Sequence, residues 1–358
     1  MNTINISLKQ NMVKKDKSIS MCKAIAILLM VMAHSGVDYW VAAFISMFHM
    51  PIFFFLSGFC FKPSYLTEPK LFMVKRLKGL YVPYVKWMLL FIILHNALCK
   101  FHILDPQSVG FYSWNQIIEK IARTVFTFVG GEQLLGGFWF LRELFWGALI
   151  AYLLLKYLKN KYAVLALSLS VALLCHLTSY HLPTFGIGYT SFMASSYFVS
   201  GHIFRSLSVH PLRPIMIVLS YGLVFIGSIF WNFDAVQHST LLVIPYFLTA
   251  IIGVWATYSL CMLLNSASIS SLIYIGNNTM PILTWHFLSF KLVSLLIIAF
   301  YNLPLSRLSD FPYINNSPCL WGWLLYFVVG STLPLLFDYV IIKVYMVIKA
   351  IKIPAFLD

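Results

Sequence analysis

Charged residues are scarce in this sequence. Only 10% of its 358 residues are Asp, Glu, Lys or Arg and just 11 are acidic, whereas 60% are hydrophobic and 17% are aromatic. Soluble domains carry about 25% charged residues. The composition therefore excludes an ordinary water-soluble fold and indicates a chain whose solvent is the lipid bilayer.

Signatures of several catalytic and metal-binding classes are also missing. The sequence contains no Walker A loop, no G-x-G-x-x-G after a strand, no H-E-x-x-H and no G-x-S-x-G elbow. Its six cysteines are scattered singly, without a C-x-x-C pair or a metal-ligand spacing, so we expect no metal and interpret them as small apolar fillers. No A-x-A-like cleavage site follows the apolar run that begins at Ser20, which predicts that the first helix is retained.

Long apolar runs dominate what is present. A spanning helix needs roughly 20 apolar residues, with a range of about 17 to 25. The runs that qualify are 20–34, 42–61, 80–98, 138–155, 162–177, 186–204, 214–231, 241–264, 281–300 and 320–348. They predict an all-α fold, a polytopic integral membrane helical bundle of about ten transmembrane helices. We expect one membrane domain over residues 20–350, with cytoplasmic tails at 1–19 and 351–358.

The distribution of Lys and Arg predicts the orientation. With the amino terminus inside, the segments in the cytoplasm or at its edge hold 19 of these residues, and the opposite face holds four. Positive residues concentrate on the cytoplasmic side of membrane proteins. We therefore expect a multi-pass protein of the cell inner membrane with both termini in the cytoplasm. Topology and anionic headgroups explain the net charge of +14 better than nucleic acid does.

Ionisable residues inside an apolar run are expensive, so each is a functional candidate. Lys23 and His34 are eleven residues apart on the first helix. Eleven steps of about 100° end roughly 20° beyond three turns, so both side chains project from one face, about 16 Å apart along the axis. This pairing of a cation with a base suits a donor stretched along the helix, such as acyl-coenzyme A. The alternative is a snorkelling lysine and an interfacial histidine.

Three further polar residues lie within or beside apolar runs. His49 precedes Pro51, and a proline bends a spanning helix and can expose a polar cavity, although a satisfied histidine in a kinked helix is the alternative. Arg142 and Glu143 are adjacent. Neighbouring helical positions point about 100° apart, so we expect them to bind different partners. A buried structural ion network is the alternative.

His286 and a basic cluster complete the candidate set. Asn278 and Thr279 before Pro281 predict a helix start, which places His286 in the second turn, in the cytoplasmic half. Lys75, Arg76 and Lys78 form a patch able to hold the phosphates of a nucleotide-like donor. Such a cluster is also the ordinary signal of a cytoplasmic loop.

Two longer loops are expected to cap one face and to select the substrate. They are Lys100–Gly137, with an amphipathic helix around Asn115–Arg123, and Tyr301–Cys319.

These runs together resemble the membrane-bound acyltransferase 3 family, which includes bacterial polysaccharide and sugar O-acetyltransferases and fucose-4-O-acetylase-like proteins. The segments that carry the resemblance are 23–34 (KAIAILLMVMAH), 48–58 (FHMPIFFFLSG), 75–78 (KRLK), 82–84 (VPY), 139–141 (WFL) and 274–288 (YIGNNTMPILTWHFL).

The resemblance implies about ten spanning helices, a cytoplasmic acyl-coenzyme A donor and a carbohydrate or other cell-surface acceptor. By similarity His34 is the essential histidine of the first helix. The family often has arginine where Lys23 stands and an acidic residue where Ser20 stands.

The resulting hypothesis is an O-acyltransferase, most simply an O-acetyltransferase acting on a cell-surface or lipid-linked glycan. It binds no resident cofactor, uses acetyl-coenzyme A as co-substrate and needs no metal. His34 is the general base, Lys23 and Arg76 hold the donor phosphates, and Arg142 and Glu143 shape the acceptor end. Two alternatives remain open. One is a transporter of polysaccharide or its lipid-linked repeat unit, which the absence of an internal repeat weakens; the other is a scaffold for glycan assembly.

Overall fold

The structure, a computed structural model, describes residues 17–207, 209–265 and 269–351. In this part of the chain the backbone is helical or in turns, without a strand, and one isolated bridge pairs Leu182 with Ile187. The all-α prediction is confirmed. The six cysteines, all within the described residues, form no disulfide there, and Cys60 is exposed, which does not fit the predicted role of a small apolar filler.

Fourteen α-helices of eight residues or more run through the described residues. They are α1 Lys17–His34, α2 Tyr39–Ser46, α3 His49–Phe59, α4 Pro69–Arg76, α5 Val82–Lys100, α6 Trp114–Ala122, α7 Trp139–Leu158, α8 Lys161–Leu177, α9 Tyr189–Leu207, α10 Pro214–Phe230, α11 Val243–Leu264, α12 Ser270–Asn277, α13 Thr279–Tyr301 and α14 Gly322–Ile351. Shorter α-helices span Pro106–Val109 and Phe233–His238. Single turns of 3₁₀ or π-helix lie at Pro63–Leu66, Leu77–Tyr81, Arg123–Thr127, Gln133–Phe138, Thr240–Leu242 and Leu305–Ser309.

Seven helical segments of the described chain are long and apolar enough to cross a membrane. They are Lys17–His34, Tyr39–Phe59, Pro69–Lys100, Gln133–Leu158, Thr240–Leu264, Thr279–Tyr301 and Gly322–Val340. Helices α8 and α10 are apolar but have only 17 residues each, and α9 is rich in serine. The chain is thus a multi-pass membrane protein, and the predicted count of ten spans is not confirmed.

Helix α9 lies against α3 at a very short distance. A Cβ atom built on Gly58 would lie 1.7 Å from the carbonyl oxygen of Phe198, and one on Gly201 would lie 2.0 Å from that of Phe55. In lipid, helices associate by packing rather than by expelling water, and small residues allow the backbones to meet. Each helix therefore contributes one glycine to this crossing.

Helix α12 meets α1 in the same way. A Cβ on Gly276 would lie 1.7 Å from the carbonyl oxygen of Ser20, whose hydroxyl donates a 3.0 Å hydrogen bond to Asn277 Oδ1. Ser20 therefore fixes the point from which α13, beginning at Thr279 as predicted, runs alongside α1.

The predicted second span is broken rather than continuous. Helix α2 ends at Ser46 and α3 begins at His49, immediately before Pro51. Proline has no N–H group, and its ring clashes with the carbonyl four residues earlier, here that of Met47. The His49 Nδ1–H group donates instead to the carbonyl of Ile45 at 2.8 Å, across the break.

A buried histidine–glutamate pair holds the first long loop against α5. His95 Nδ1 lies 2.8 Å from Glu132 Oε2, and its Nε2 lies 2.9 Å from the carbonyl of Gly110. Tyr112 stacks on the His95 ring at 3.5 Å and donates to Glu132 Oε1 at 3.0 Å. Burial and the Glu132 carboxylate raise the pKa of Tyr112. The same loop contains the expected amphipathic helix as α6, opened by a capping box at Ser113.

Lys291 anchors the second long loop. This side chain is 3% exposed and donates to the carbonyls of Leu308 at 2.9 Å and Asp310 at 2.7 Å. Phe311 of the loop packs on Phe287 with ring centres 4.7 Å apart. The loop is thereby held against α13, one turn from His286.

Candidate active site

Two cavities lie next to each other inside the bundle. The first, which we call the basic cavity, has a volume of about 390 Å³ and includes Lys23, Lys75 and Arg76 in its lining. The second, the histidine cavity, has about 380 Å³ and includes His34 and His49. Small-molecule sites have volumes of roughly 300–1,000 Å³, so each is large enough for part of a ligand.

The same helices line both cavities at successive levels. On α1, Lys23 and Ile27 face the basic cavity, while Met30 and His34 face the histidine cavity. Leu283 on α13 lines both. The cavities are therefore stacked along the bundle, with Leu283 in the wall between them.

Aromatic rings and hydroxyl groups hold the cations of the basic cavity. Arg76 Nη1 donates to Ser57 Oγ at 2.8 Å, and its guanidinium lies 5.1 Å from the centre of the Phe72 ring. Lys75 Nζ donates to the Tyr65 hydroxyl at 2.8 Å.

Lys78 does not join the other cations of the predicted patch. It is exposed and does not line the basic cavity. Two helical steps rotate a side chain by about 200°, so Lys78 points away from the face that carries Arg76. Its contact with the donor phosphates alongside Lys75 and Arg76 stays a prediction.

The ring of His34 contacts the ring of His286. His34 Nδ1 lies 3.3 Å from His286 Nε2, and the two rings stack with centres 5.4 Å apart and an interplanar angle of 13°. Phe287 covers both rings, with centre distances of 5.0 Å to His34 and 4.0 Å to His286. His286 is fully buried.

In the His34–His286 pair, the hydrogen-bond partners of the two rings determine which nitrogen of each neutral ring carries the hydrogen. His286 Nδ1 lies 3.0 Å from the carbonyl of Ile282 and 3.1 Å from that of Leu283, and both oxygens only accept. The hydrogen of His286 therefore sits on Nδ1, and its Nε2 accepts from His34 Nδ1–H. This arrangement leaves Nε2 of His34 without a hydrogen, as a base requires.

Sequence analysis placed His286 in the cytoplasmic half of the membrane and did not predict its contact with His34. Asn277 contacts Ser20, so these two residues lie at the same level of the bundle. Distances along α13 and α1 can therefore be measured from this level. His286 stands nine residues beyond Asn277 and His34 fourteen beyond Ser20, or about 14 and 21 Å. The two backbone positions therefore differ by about 7 Å along the bundle, and the contacting side chains span this difference.

A cavity lies beside Pro51, as predicted, but its walls are mostly apolar. His49, Met50 and Pro51 all line the histidine cavity, and His49 is 8% exposed. Because Nδ1 of His49 donates to Ile45, its Nε2 is the nitrogen left to interact with a ligand.

Comparison with known protein families identifies the chain at this point. A family model described as an acyltransferase domain, that of acyltransferase 3, matches residues 16–343. The chain belongs to the acyltransferase 3 family. No curated protein and no solved structure matches it. The class of activity is thus membrane acyl transfer, and the match includes both cavities.

Two candidate residues of this acyltransferase bind each other, contrary to prediction. Arg142 Nε lies 2.9 Å and its Nη2 2.7 Å from Glu143 Oε1, and Glu143 Oε2 accepts from Ser191 at 2.5 Å. A long arginine side chain can curl across the 100° between adjacent positions. Neither residue lines the basic cavity or the histidine cavity, and the pair instead ties α7 to the start of α9.

Sequence reasoning missed the tyrosines of the acyltransferase site. Tyr189 and Tyr197 line the histidine cavity, and Tyr65 orients Lys75. Tyrosine is common in membrane helices, so a tyrosine within an apolar run is not by itself a sign of a functional site. The available signal was the serine-rich composition of α9, which is typical of a helix packed among other helices.

Proposed function

We propose that this acyltransferase moves an acetyl group from acetyl-coenzyme A to a hydroxyl of a cell-surface or lipid-linked glycan. One observation carries the proposal. A histidine with a free Nε2 lines one cavity, and across Leu283 a second cavity is lined by three cations.

The basic cavity is the proposed site of the donor phosphates. Arg76 offers a planar fork to phosphate oxygens, whereas Lys23 and Lys75 act as point charges. Ser57 and Tyr65 hold two of these cations in place before the donor binds. The flexible arm of the coenzyme then extends past Leu283 toward His34, about 16 Å along α1 from Lys23.

His34 is the proposed general base. Its Nε2 takes the proton of the acceptor hydroxyl while the hydroxyl oxygen attacks the thioester carbon. The carbon–sulfur bond breaks, and the departing thiolate of coenzyme A takes the proton back from the His34 imidazolium. The products are a glycan ester and free coenzyme A, and the reaction consumes no oxidant or metal.

The proposed orientation follows the charges. The basic cavity faces the cytoplasm, where acetyl-coenzyme A is available. Both termini also lie in the cytoplasm, and the protein itself lies in the inner membrane. This orientation agrees with the excess of Lys and Arg on that side.

His286 is the proposed positioning residue for His34. Replacing it with leucine removes the acceptor of the His34 Nδ1–H group, and we expect kcat to fall about 10- to 100-fold, as for other lost supporting contacts. His286→Gln retains an acceptor oxygen near the Nε2 position, so it is expected to recover much of that loss. Steady-state kinetics with acetyl-coenzyme A measure both variants.

The KM for the donor separates positioning from general damage to the fold. It should stay near the wild-type value in both His286 variants, because the basic cavity is built from other side chains. An equal loss of kcat in His286→Leu and His286→Gln would contradict the hydrogen-bonding role.

A reconstituted assay tests the proposed function. Purified full-length protein in lipid is given acetyl-labelled coenzyme A and surface polysaccharide from the producing cells after alkaline removal of its esters. We expect one base-labile acetyl ester on the glycan for each thiol released, and protection of the protein from heat by coenzyme A. Passage of the polysaccharide into vesicles without any donor, and no ester, would instead indicate a transporter.

A further inference from the structure

Two tyrosine hydroxyls in the histidine cavity have no hydrogen-bond partner. Tyr189 and Tyr197 both line this cavity, and their hydroxyl oxygens are buried and unpaired in the described part of the chain. Tyr197 is only 3% exposed. A buried hydroxyl without a partner is unfavourable, and phenylalanine would fill the same space without that penalty. The unpaired hydroxyls therefore point to a polar ligand.

The walls of the same cavity are aromatic. Phe54, Trp139 and Phe233 line it together with the two tyrosines. Flat apolar walls with a few directed polar groups suit a ligand that has an apolar face and a polar rim. A sugar ring has this combination, since its C–H groups form the face and its hydroxyls the rim.

Tyr189 also lines a second, open space. This polar basin has a volume of about 690 Å³, and its lining includes His176, His181, Gln237 and His238. The Tyr189 ring packs against His176 with centres 5.0 Å apart, so one side chain borders both spaces. A ligand that extends past Tyr189 would occupy part of the histidine cavity and part of the basin at the same time.

We infer that the histidine cavity holds the reacting sugar ring of the acceptor through Tyr189 and Tyr197, and that the polar basin holds the neighbouring sugar of the same chain. The inference rests on the proposed function and adds the form of the acceptor to it. The acceptor is an oligosaccharide or polysaccharide rather than a single sugar. Its reacting hydroxyl lies at His34, and its adjoining ring contacts the exposed side chains of His181 and Gln237.

Acceptor kinetics test the tyrosines. The probe is the alkali-treated polysaccharide described above, with acetyl-coenzyme A as donor. Tyr197→Phe removes one hydrogen bond to the ring, so its KM for the polysaccharide should rise roughly three- to tenfold. Tyr152→Phe is the matched control, because Tyr152 is also a buried tyrosine with an unpaired hydroxyl but lines neither cavity nor the basin.

The length of the acceptor tests the basin. The second probe is the set of monosaccharides obtained by hydrolysing the same polysaccharide. Wild-type protein should show a higher kcat/KM for the polymer than for any monosaccharide, and the double variant His181→Ala, Gln237→Ala should lose most of that difference. Equal values for polymer and monosaccharide in the wild type would overturn the role of the basin.

The outcomes separate this inference from the proposed function. If the wild type transfers acetyl to neither probe, the glycan acceptor itself is contradicted. If it transfers to the polymer while Tyr197→Phe behaves like Tyr152→Phe, only the acceptor site is contradicted. A fall in kcat for Tyr197→Phe with an unchanged acceptor KM would also overturn it, since the hydroxyl would then act on the thioester.

Discussion

His34→Gln is expected to reduce kcat for acyl transfer by about 10²- to 10⁴-fold, the usual contribution of a general base. Glutamine occupies a similar volume and can still hydrogen-bond His286, but it cannot take a proton. The protein should therefore keep its thermal midpoint and its KM for acetyl-coenzyme A while losing turnover. Release of the coenzyme A thiol and formation of the glycan ester measure the two halves of the reaction.

His210→Gln is the control for this substitution. His210 is exposed in the loop before α10 and lines neither cavity, so its replacement should leave kcat unchanged. A correctly folded His34→Gln protein that turned over acetyl-coenzyme A and glycan at the wild-type rate would eliminate His34 as the base.

Gly58→Ala is expected to destabilise the protein more than any of the other substitutions named above. Its new methyl group would lie 1.7 Å from the carbonyl oxygen of Phe198, so α3 and α9 must separate or shift. Overpacking of this kind costs about 1–3 kcal/mol and more where backbone is the obstacle. Ser57, the neighbour of Gly58, holds Arg76, so any folded Gly58→Ala protein should also show a raised KM for acetyl-coenzyme A.

Gly222→Ala separates this effect from the general effect of adding a methyl group. Gly222 lies in α10 with no atom within 4 Å of the position a Cβ would occupy. Its replacement should leave the thermal midpoint of the detergent-solubilised protein unchanged or slightly raised, because alanine favours a helix over glycine. Equal midpoints for the Gly58 and Gly222 variants would show that the α3–α9 contact tolerates separation.

Sequence patterns predicted the features that depend on a single segment. The apolar runs located the helices, and Asn278, Thr279 and Pro281 predicted the start of α13 at Thr279, although the Asn278 side chain makes no capping hydrogen bond. The eleven-residue spacing put Lys23 and His34 on one face of α1, where each now lines a different cavity. Pro51 predicted a bend in the second span but not the interruption between Ser46 and His49, because the conformation of that turn also depends on the hydrogen bond from His49 to the carbonyl of Ile45.

Contacts between segments could not be predicted in this way. Helical angles alone assigned Arg142 and Glu143 different partners. That prediction failed because the angles describe the directions of the Cβ atoms and not the reach of a flexible guanidinium. His95 and Glu132 form a buried pair, yet 37 residues separate them and neither stands in a motif.

The sequence alone determined that this chain is an all-α membrane protein of the acyltransferase 3 type, with His34 and Lys23 on one helix face. In lipid each helix must satisfy its own backbone hydrogen bonds, so hydropathy and the helical period act locally and are readable along the chain. Only the tertiary structure decided that His286 contacts His34 across 252 positions and that two cavities meet at Leu283. Those contacts depend on where glycines such as Gly276 allow two helices to touch. The sequence around a glycine does not show which helix it will contact.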